Sequence, residues 1–159
     1  SFPADVCRSM IALASLYIED NRFSGIWPED GSRGLRILHL GTNRFTGSLP
    51  DCVLVSFGIW IEENSFRGAL PVEGLRQRSG YYQILVHRNR LEGTFSEDLL
   101  APLRLLIDFS VYSNSFSGTL PATALNGCKN LAYLYLNDNF FEGRIPNLTP
   151  PSLCRVVLG

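Results

Sequence analysis

The 159-residue sequence has few of the side chains and spacings on which catalysis usually depends. It contains only two histidines and four cysteines, and it has no C-x-x-C, H-E-x-x-H, G-x-S-x-G or phosphate-loop pattern. Its 14 glycines recur at intervals instead of clustering in one loop. These absences argue against an enzyme, and the sequence predicts no catalytic residue and no cofactor.

Strong net charge and long apolar segments are also absent. The formal net charge is −1 at pH 7, which gives no general field to attract nucleic acid or an anionic membrane. No apolar run approaches the roughly 18 residues that a membrane-spanning helix needs. The sequence therefore predicts no nucleic-acid partner and no membrane insertion within this stretch. It shows no initiator methionine, signal peptide or targeting tail.

What the sequence does contain is a repeated pattern. The stretch from Leu131 to Pro146, LAYLYLNDNFFEGRIP, follows the template L-x-x-L-x-L-x-x-N-x-F-x-G-x-I/L-P, and five earlier stretches follow it closely. From copy to copy the asparagine is displaced by 22, 21, 25, 25 and 25 residues. These asparagines are Asn21, Asn43, Asn64, Asn89, Asn114 and Asn139. One structural unit has therefore been copied along the chain.

Each L-x-L centre alternates apolar and other residues, which indicates a short strand with one buried face. Copies at this spacing pair their strands only in parallel, with a return segment between them. The asparagine side chain offers two donors and an acceptor where the strand ends, so the asparagines are expected to form a continuous ladder. The phenylalanine two residues later, replaced by Leu91 in one copy, should form an apolar spine beneath it. The glycine that follows permits a backbone conformation or a close approach that a side chain would obstruct.

The return segments are less regular than the strands. In the longer copies Leu75, Leu100 and Leu125 lie four residues after the proline or serine, and Leu103 and Cys128 lie seven residues after it. This spacing predicts a helical turn that packs on the core. The shorter segments 29–34 and 51–55 are expected to be extended or looped, so the convex side should be least regular in the N-terminal half.

The pairing of L-x-x-L-x-L-x-x-N with F-x-G-x-L/I-P resembles the plant-type leucine-rich repeat of receptor-kinase ectodomains, receptor-like proteins and polygalacturonase-inhibiting proteins. The resemblance covers essentially the whole chain. It implies an α/β solenoid, a right-handed superhelix with a parallel concave sheet and an irregular or short-helical convex side. It also implies a second, smaller sheet near G-x-L-P and an extracellular or cell-surface binding role.

The domain organisation follows from the same register. Residues 1–159 are expected to form a single leucine-rich repeat domain with six full repeats. Ser1 to Pro3 resemble the end of an earlier copy, and Leu153, Val156 and Leu158 begin a seventh. Because a solenoid needs terminal caps and none is visible, the sequence predicts a fragment of a longer array, with neighbouring repeats or subunits at both ends.

The repeat positions of the cysteines argue against most disulfide pairings. Cys7 and Cys128 lie five repeats apart, which is about 24 Å at the spacing of stacked strands, whereas a disulfide needs Cα atoms within about 7 Å. Cys128 and Cys154 lie in neighbouring repeats, so a bridge between them stays possible. Their different positions within the repeat favour free, buried thiols.

The variable positions of the repeat are the candidates for function. Positions six, four, two and one before the asparagine are expected to point outward from the concave sheet or to frame the strand's end, and six copies of four positions give 24 residues. One side of a standard protein interface contains roughly 20–30 residues. The column four residues before the asparagine consists of Tyr17, His39, Trp60, Leu85, Ser110 and Tyr135.

The first three members of that column are aromatic and should lie about 5 Å apart. Exposed aromatic side chains are enriched among interface anchors. The alternative is that they only cover the sheet, with Trp60 packed on its neighbours. The candidate partner-binding residues are Tyr17, Glu19, His39, Trp60, Glu62, His87, Arg88, Tyr112, Tyr133 and Tyr135.

Charged residues border the aromatic column. An acidic group is expected to select a basic partner, with His87 and Arg88 giving the opposite polarity beyond it; the alternative is a solvated rim. A metal site is not expected, because the carboxylates come from separated strands without a ligating loop. On such strands His39 and His87 would be about 10 Å apart across the sheet. The acidic group consists of Glu19, Asp20, Glu62 and Glu63.

Together these features predict a non-enzymatic module that binds a protein or peptide on its concave face, as part of a receptor or a secreted recognition protein. The rival is an architectural role, in which the repeats act as a spacer or as a subunit of a larger assembly. Asn147 begins the only N-x-S/T sequon, and it would accept a glycan in a secreted protein.

Overall fold

A computed structural model defines the fold and describes residues 12–28, 35–49, 57–71, 74–75, 80–97, 99–100, 103–121, 123, 125, 127–148 and 150–159. Short strands alternate with turns throughout these residues. The strands are β1 (Ser15–Tyr17), β2 (Ser24–Ile26), β3 (Ile37–His39), β4 (Arg44–Ser48), β5 (Gly58–Trp60), β6 (Ser65–Gly68), β7 (Gln83–Leu85), β8 (Arg90–Thr94), β9 (Asp108–Ser110), β10 (Ser115–Thr119), β11 (Tyr133–Tyr135), β12 (Phe140–Glu142) and β13 (Arg155–Val157).

The strands form two parallel sheets that run along the solenoid. The odd-numbered strands form a seven-stranded sheet in the order β1-β3-β5-β7-β9-β11-β13, and the even-numbered strands form a six-stranded sheet from β2 to β12. Each coil of the chain contributes one strand to the seven-stranded sheet, as the repeat predicts. The second sheet, which the family resemblance implies, is confirmed.

The asparagine ladder joins successive coils. Asn43 Oδ1 accepts a hydrogen bond from the Phe23 backbone N–H at 2.9 Å, and its Nδ2 donates to the Ile18 carbonyl at 2.8 Å, so one side chain bridges two coils. Equivalent pairs of bonds recur at the next four asparagines along the chain. For Asn21 the described residues show Nδ2 donating to two carbonyls of its own coil, those of Ile18 and Glu19, and the coil before it lies outside the described residues. The ladder is confirmed from Asn43 onward.

The predicted apolar spine lies beneath the ladder. Four of its members are fully or almost fully buried, and Phe23 and Phe141 at its two ends are half-buried against the same core. Within it the rings of Phe45 and Phe66 stack with their centroids 6.1 Å apart. The buried members are Phe45, Phe66, Leu91 and Phe116.

On the convex side the described residues of the later coils form tight turns. Backbone bonds from Leu103 N to Leu100 O at 2.9 Å and from Leu106 N to Leu103 O at 3.1 Å show consecutive three-residue turns. Within the described residues a helical backbone occurs only at Gly74 and Leu75, so the irregular or short-helical convex side is confirmed. The predictions for segments 29–34 and 51–55, for Cys7 and for residues 1–3 fall outside the described residues.

The residue before each ladder asparagine adopts a left-handed backbone, a requirement that the repeated letters did not reveal. Six residues of different types occupy this position with φ between 53° and 56°. Non-glycine residues seldom take such angles, and the strain is greatest for a β-branched side chain. The six residues are Asp20, Thr42, Glu63, Arg88, Ser113 and Asp138.

Replacing Thr42 with asparagine is therefore expected to stabilise the protein. Asparagine tolerates the left-handed region better than the β-branched threonine, so the free energy of unfolding should rise by about 1 kcal/mol. Urea denaturation followed by circular dichroism measures it. Thr46→Asn is the control, because Thr46 is exposed in β4 and has no left-handed backbone. An equal gain at both positions would show that backbone strain at Thr42 is not the cause.

Candidate functional site

The parallel register aligns the predicted column across the seven-stranded sheet. Tyr17 pairs with His39 and His39 with Trp60, and the register continues through the remaining strands to the last predicted member. The alignment of Tyr17, His39, Trp60, Leu85, Ser110 and Tyr135 is therefore confirmed. Ser110 is only 3% exposed, so it does not face outward as predicted. Its hydroxyl lies 3.1 Å from His87 Nδ1, and this neighbour covers it.

The first three coils carry a continuous row of rings, here called the aromatic row (Tyr17, His39 and Trp60). The centroids of Tyr17 and His39 lie 4.8 Å apart, and those of His39 and Trp60 lie 4.3 Å apart with the planes inclined by only 16°. Tyr17 is 55% exposed, whereas His39 and Trp60 are half-buried. The row is accessible from solvent, and its rings support one another at the predicted spacing.

The orientation of Trp60 depends on the glycine two residues earlier. A Cβ atom on Gly58 would lie 2.6 Å from Trp60 Cζ2, so the indole occupies the space that a side chain would fill. Trp60 Nε1 donates a hydrogen bond to Gln83 Oε1 at 3.2 Å. Gly58 is consequently buried, although its position was predicted to face outward. Trp60 therefore packs on its neighbours while part of its side chain stays accessible to solvent.

A second group of rings lies further along the sheet. His87 stacks on Tyr112 with centroids 4.4 Å apart, and Tyr112 contacts Tyr135 edge-on at 6.4 Å. The guanidinium groups of Arg88 and Arg155 lie 5.8 and 5.7 Å from the ring centroids of Tyr112 and Tyr135. Tyr133, the remaining tyrosine candidate, is exposed on β11. Apart from Arg155, the sequence named these residues as candidates, but it did not reveal their mutual stacking.

The acidic residues divide into a paired and an unpaired part. Glu63 Oε1 forms a 2.6 Å ion pair with Arg88 Nη1 on the solvent-exposed surface. Glu62 and Glu19 each have one buried carboxylate oxygen, Oε2 in both, that has no hydrogen-bond partner. Burial raises the pKa of Glu62, and the negative charges of Glu63, Glu19 and Asp20 raise it further. The first and third coils therefore concentrate uncompensated negative charge beside the aromatic row.

The predicted opposite polarity at His87 and Arg88 is wrong in part. The Arg88 guanidinium group pairs with Glu63 and lies over the face of Tyr112, so its positive charge is largely compensated within the chain. Burial lowers the pKa of His87 below its ordinary value, against the opposing effect of Glu63, so the imidazole is neutral at neutral pH. Burial likewise lowers the pKa of His39. The two imidazoles act as flat rings there and not as cations.

The part of the chain that the structure describes offers no metal site and no disulfide between Cys128 and Cys154. No group of three or more histidine, cysteine, aspartate or glutamate side chains there is arranged to hold a metal ion. Cys128 and Cys154 are both free thiols. Cys128 is buried, and burial raises its pKa to about 11. Cys154 is exposed beside the edge strand β13, so the prediction of a buried thiol is wrong for it.

One exposed apolar row was missed in the sequence. Phe57, Tyr82 and Ile107 precede the strands of three consecutive coils, seven residues before the asparagine. The rings of Phe57 and Tyr82 stack with centroids 6.5 Å apart, and all three side chains are exposed. Apolar letters at a variable position in three consecutive copies were the available signal.

No helix among the described residues is long and apolar enough to cross a membrane.

Known proteins similar to this chain are plant receptors. It is 28% identical over 149 residues to Receptor-like protein 18 of Arabidopsis thaliana, which covers 90% of the chain, and 30% identical over 151 residues to Receptor-like protein 35 of the same plant, which covers 89%. The chain spans only 17% and 15% of the lengths of these two relatives. No family model matches the sequence.

Solved structures agree with the curated relatives. The ectodomain of the Arabidopsis thaliana receptor kinase GASSHO1/SCHENGEN3 is 29% identical with a TM-score of 0.80, over 91% of this chain and 18% of that one. The HAESA ectodomain, from an Arabidopsis receptor kinase, is 30% identical with the same TM-score of 0.80, over 92% of this chain and 25% of that one. With its repeated motif, asparagine ladder and two parallel sheets, the chain belongs to the plant-type leucine-rich repeat family.

Proposed function

We propose that the chain is a non-enzymatic ligand-binding module of a receptor, and that an extended peptide or protein segment lies across the outward side of the seven-stranded sheet. The observation that carries the proposal is the aromatic row, in which a 55% exposed tyrosine leads to a stacked histidine and tryptophan. Rigid aromatic side chains in register on adjacent strands supply contact area at low entropic cost.

Two similar ectodomains support a ligand of this kind. The HAESA ectodomain was solved in complex with a peptide hormone ligand, and the GASSHO1/SCHENGEN3 ectodomain in complex with CASPARIAN STRIP INTEGRITY FACTOR 2. The dimensions of the sheet are compatible with a peptide. Seven strands at about 4.8 Å spacing span roughly 29 Å, which is the length of about nine extended residues.

The same proposal places the chain at the cell surface or outside the cell. Its relatives are receptor-like proteins and receptor kinases, and the similar solved structures are ectodomains. Asn147 is exposed, and we propose it as the glycan acceptor of this module. Thr149 of its sequon lies outside the described residues.

Loss of peptide binding in an aromatic-row variant tests the proposed function. Twelve-residue peptides displayed on phage are selected against the wild-type chain, and the affinities of the selected peptides are measured by calorimetry. In the Tyr17→Ala/Trp60→Ala double variant these affinities should fall by about a hundredfold, because two anchoring rings are removed. Circular dichroism verifies that the variant is folded.

Tyr82→Ala/Phe140→Ala is the matched control, since both residues are exposed aromatics away from the aromatic row. This control should retain wild-type affinity. Selected peptides that bind the folded Tyr17→Ala/Trp60→Ala variant as tightly as the wild type would refute a ligand site on the aromatic row. Loss of binding only in the control would favour the rival, in which other surfaces make the contacts.

A further inference from the structure

We propose that the first three coils contain a subsite for one guanidinium group of the ligand, which binds beside Gly41 at the carboxyl groups of Glu19 and Glu62. The subsite rests on the proposed function and specifies the ligand: a peptide or protein segment that presents an arginine to coils within residues 12–71. Three features of the described residues lead to this assignment: a glycine covered by a carboxyl group, two acceptors without donors, and rings without a cation.

The glycine lies at the position two residues before the asparagine. Glu19, Gly41 and Glu62 occupy this position in consecutive coils, joined by backbone bonds from Asp20 N to Gly41 O at 3.1 Å and from Thr42 N to Glu62 O at 2.8 Å. Gly41 has no side chain, and a Cβ atom there would lie 2.8 Å from Glu62 Cδ. The Glu62 carboxyl group therefore leans across Gly41 toward the coil of Glu19.

The two acceptors are carboxylate oxygens that no group of the described residues satisfies. Oε2 of Glu19 and Oε2 of Glu62 are buried and accept no hydrogen bond. A buried acceptor without a donor is unfavourable and is rare in folded proteins. The neighbouring Glu63 shows the contrast, because Arg88 satisfies it. A guanidinium group of the ligand would supply donors to both carboxyl groups.

The rings of the aromatic row lack the cations that the second group of rings has. Arg88 lies over Tyr112 and Arg155 lies over Tyr135, so the chain fills those faces with its own guanidinium groups. Among the described residues no arginine is placed over Tyr17 or Trp60. A guanidinium group suits rings beside carboxylates better than an ammonium does, because it is planar, weakly hydrated and able to bind two carboxylate oxygens at once.

Titration with a single amino-acid probe tests the subsite. The isotope-labelled chain is titrated with N-acetyl-arginine amide, and with N-acetyl-citrulline amide as its neutral isostere, while NMR follows the Gly41 amide and the Trp60 indole signals. Saturable shifts with the arginine probe, and binding about tenfold weaker with citrulline, are expected from the loss of a charge-assisted bond. Equal shifts with both probes, or no saturable shift with either, would overturn the subsite.

Three variants locate the binding. Glu19→Gln and Glu62→Gln should each weaken the arginine probe, and Gly41→Ala should weaken it while every charge is kept, because the new methyl group displaces the Glu62 carboxyl group. Since that carboxyl group is the end of a flexible side chain, Gly41→Ala is expected to fold. Glu92→Gln removes an exposed carboxylate on β8 and should change nothing. An equal effect of all four variants would reduce the subsite to general charge attraction and overturn it.

The subsite and the proposed function fail in different ways. Peptides selected on the chain that contain no arginine, lose affinity in Tyr17→Ala/Trp60→Ala and keep it in Glu62→Gln would overturn the subsite alone. A selection that yields no peptide bound to the concave face would overturn the proposed function. Both would be supported if replacing an arginine of a selected peptide with citrulline lowers the affinity of that peptide for the wild-type chain but not for Glu62→Gln.

Discussion

Replacing Phe66 with alanine is expected to lower the free energy of unfolding by about 4 kcal/mol, because the substitution opens a large cavity in the spine. Phe66 is fully buried, stacks on Phe45 with centroids 6.1 Å apart, and lies in the core that all central coils share. Because each coil of a solenoid contacts only its neighbours, a cavity there also weakens the interface that joins one coil to the next. Urea denaturation followed by circular dichroism measures the loss.

Two controls separate burial from aromatic character. Phe140→Ala should cost less than about 0.5 kcal/mol, since the Phe140 side chain is 68% exposed. Phe66→Leu should cost only about 1 kcal/mol, because the equivalent position in the following coil already accommodates Leu91 with full burial. Equal losses for Phe66→Ala and Phe140→Ala would contradict the role of the spine.

The spine and the ladder could be predicted from sequence because each imposes the same residue type on every coil. A buried ring column tolerates phenylalanine or leucine, and the strand ends need an amide that both donates and accepts. Their letters therefore repeat, as Asn43 and Phe45 do in Asn64 and Phe66. The alignment of the aromatic row followed directly, because in-register parallel strands place equivalent residues side by side.

Features that depend on backbone angles or on one particular neighbour could not be predicted in this way. The left-handed backbone before each asparagine accepts residues as different as Thr42 and Arg88, so no repeated letter reveals it. Ser110 is buried because His87 of the preceding coil lies beside it, and Gly58 because the indole of Trp60 lies over it. These are contacts between variable positions, and only the structure shows the orientation of such side chains.

The polarity of the surface shows the same limit. From sequence, His87 and Arg88 form a basic counterpart to the acidic group, because the sequence gives only the formal charge of each residue. In the structure the charge of Arg88 is paired with Glu63, and burial lowers the pKa of His87. Beside the aromatic row, Glu19, Asp20 and Glu62 form no ion pair with a described residue, so their negative charge is uncompensated there.

Replacing Asn114 with alanine is expected to cost about 3 kcal/mol of unfolding free energy, because the ladder then leaves buried backbone groups without partners. Asn114 is 8% exposed; its Oδ1 accepts from Leu91 N at 2.9 Å, and its Nδ2 donates to the carbonyls of Val86 and Val111, each at 3.0 Å. Asn114→Asp should cost at least as much, since a carboxylate would face those carbonyl oxygens. Urea denaturation and hydrogen exchange of the Leu91 amide give the two readouts.

The matched control is Asn21→Ala. Asn21 is exposed, and its bonds to described residues run to the Ile18 and Glu19 carbonyls of its own coil, so its loss should cost about 0.5 kcal/mol. The difference between the two alanine variants then measures what the ladder contributes by joining coils. If the Leu91 amide stays protected in Asn114→Ala and both variants lose the same stability, the asparagines would only close turns within a coil, and cohesion between coils would come from the strands and the apolar spine alone.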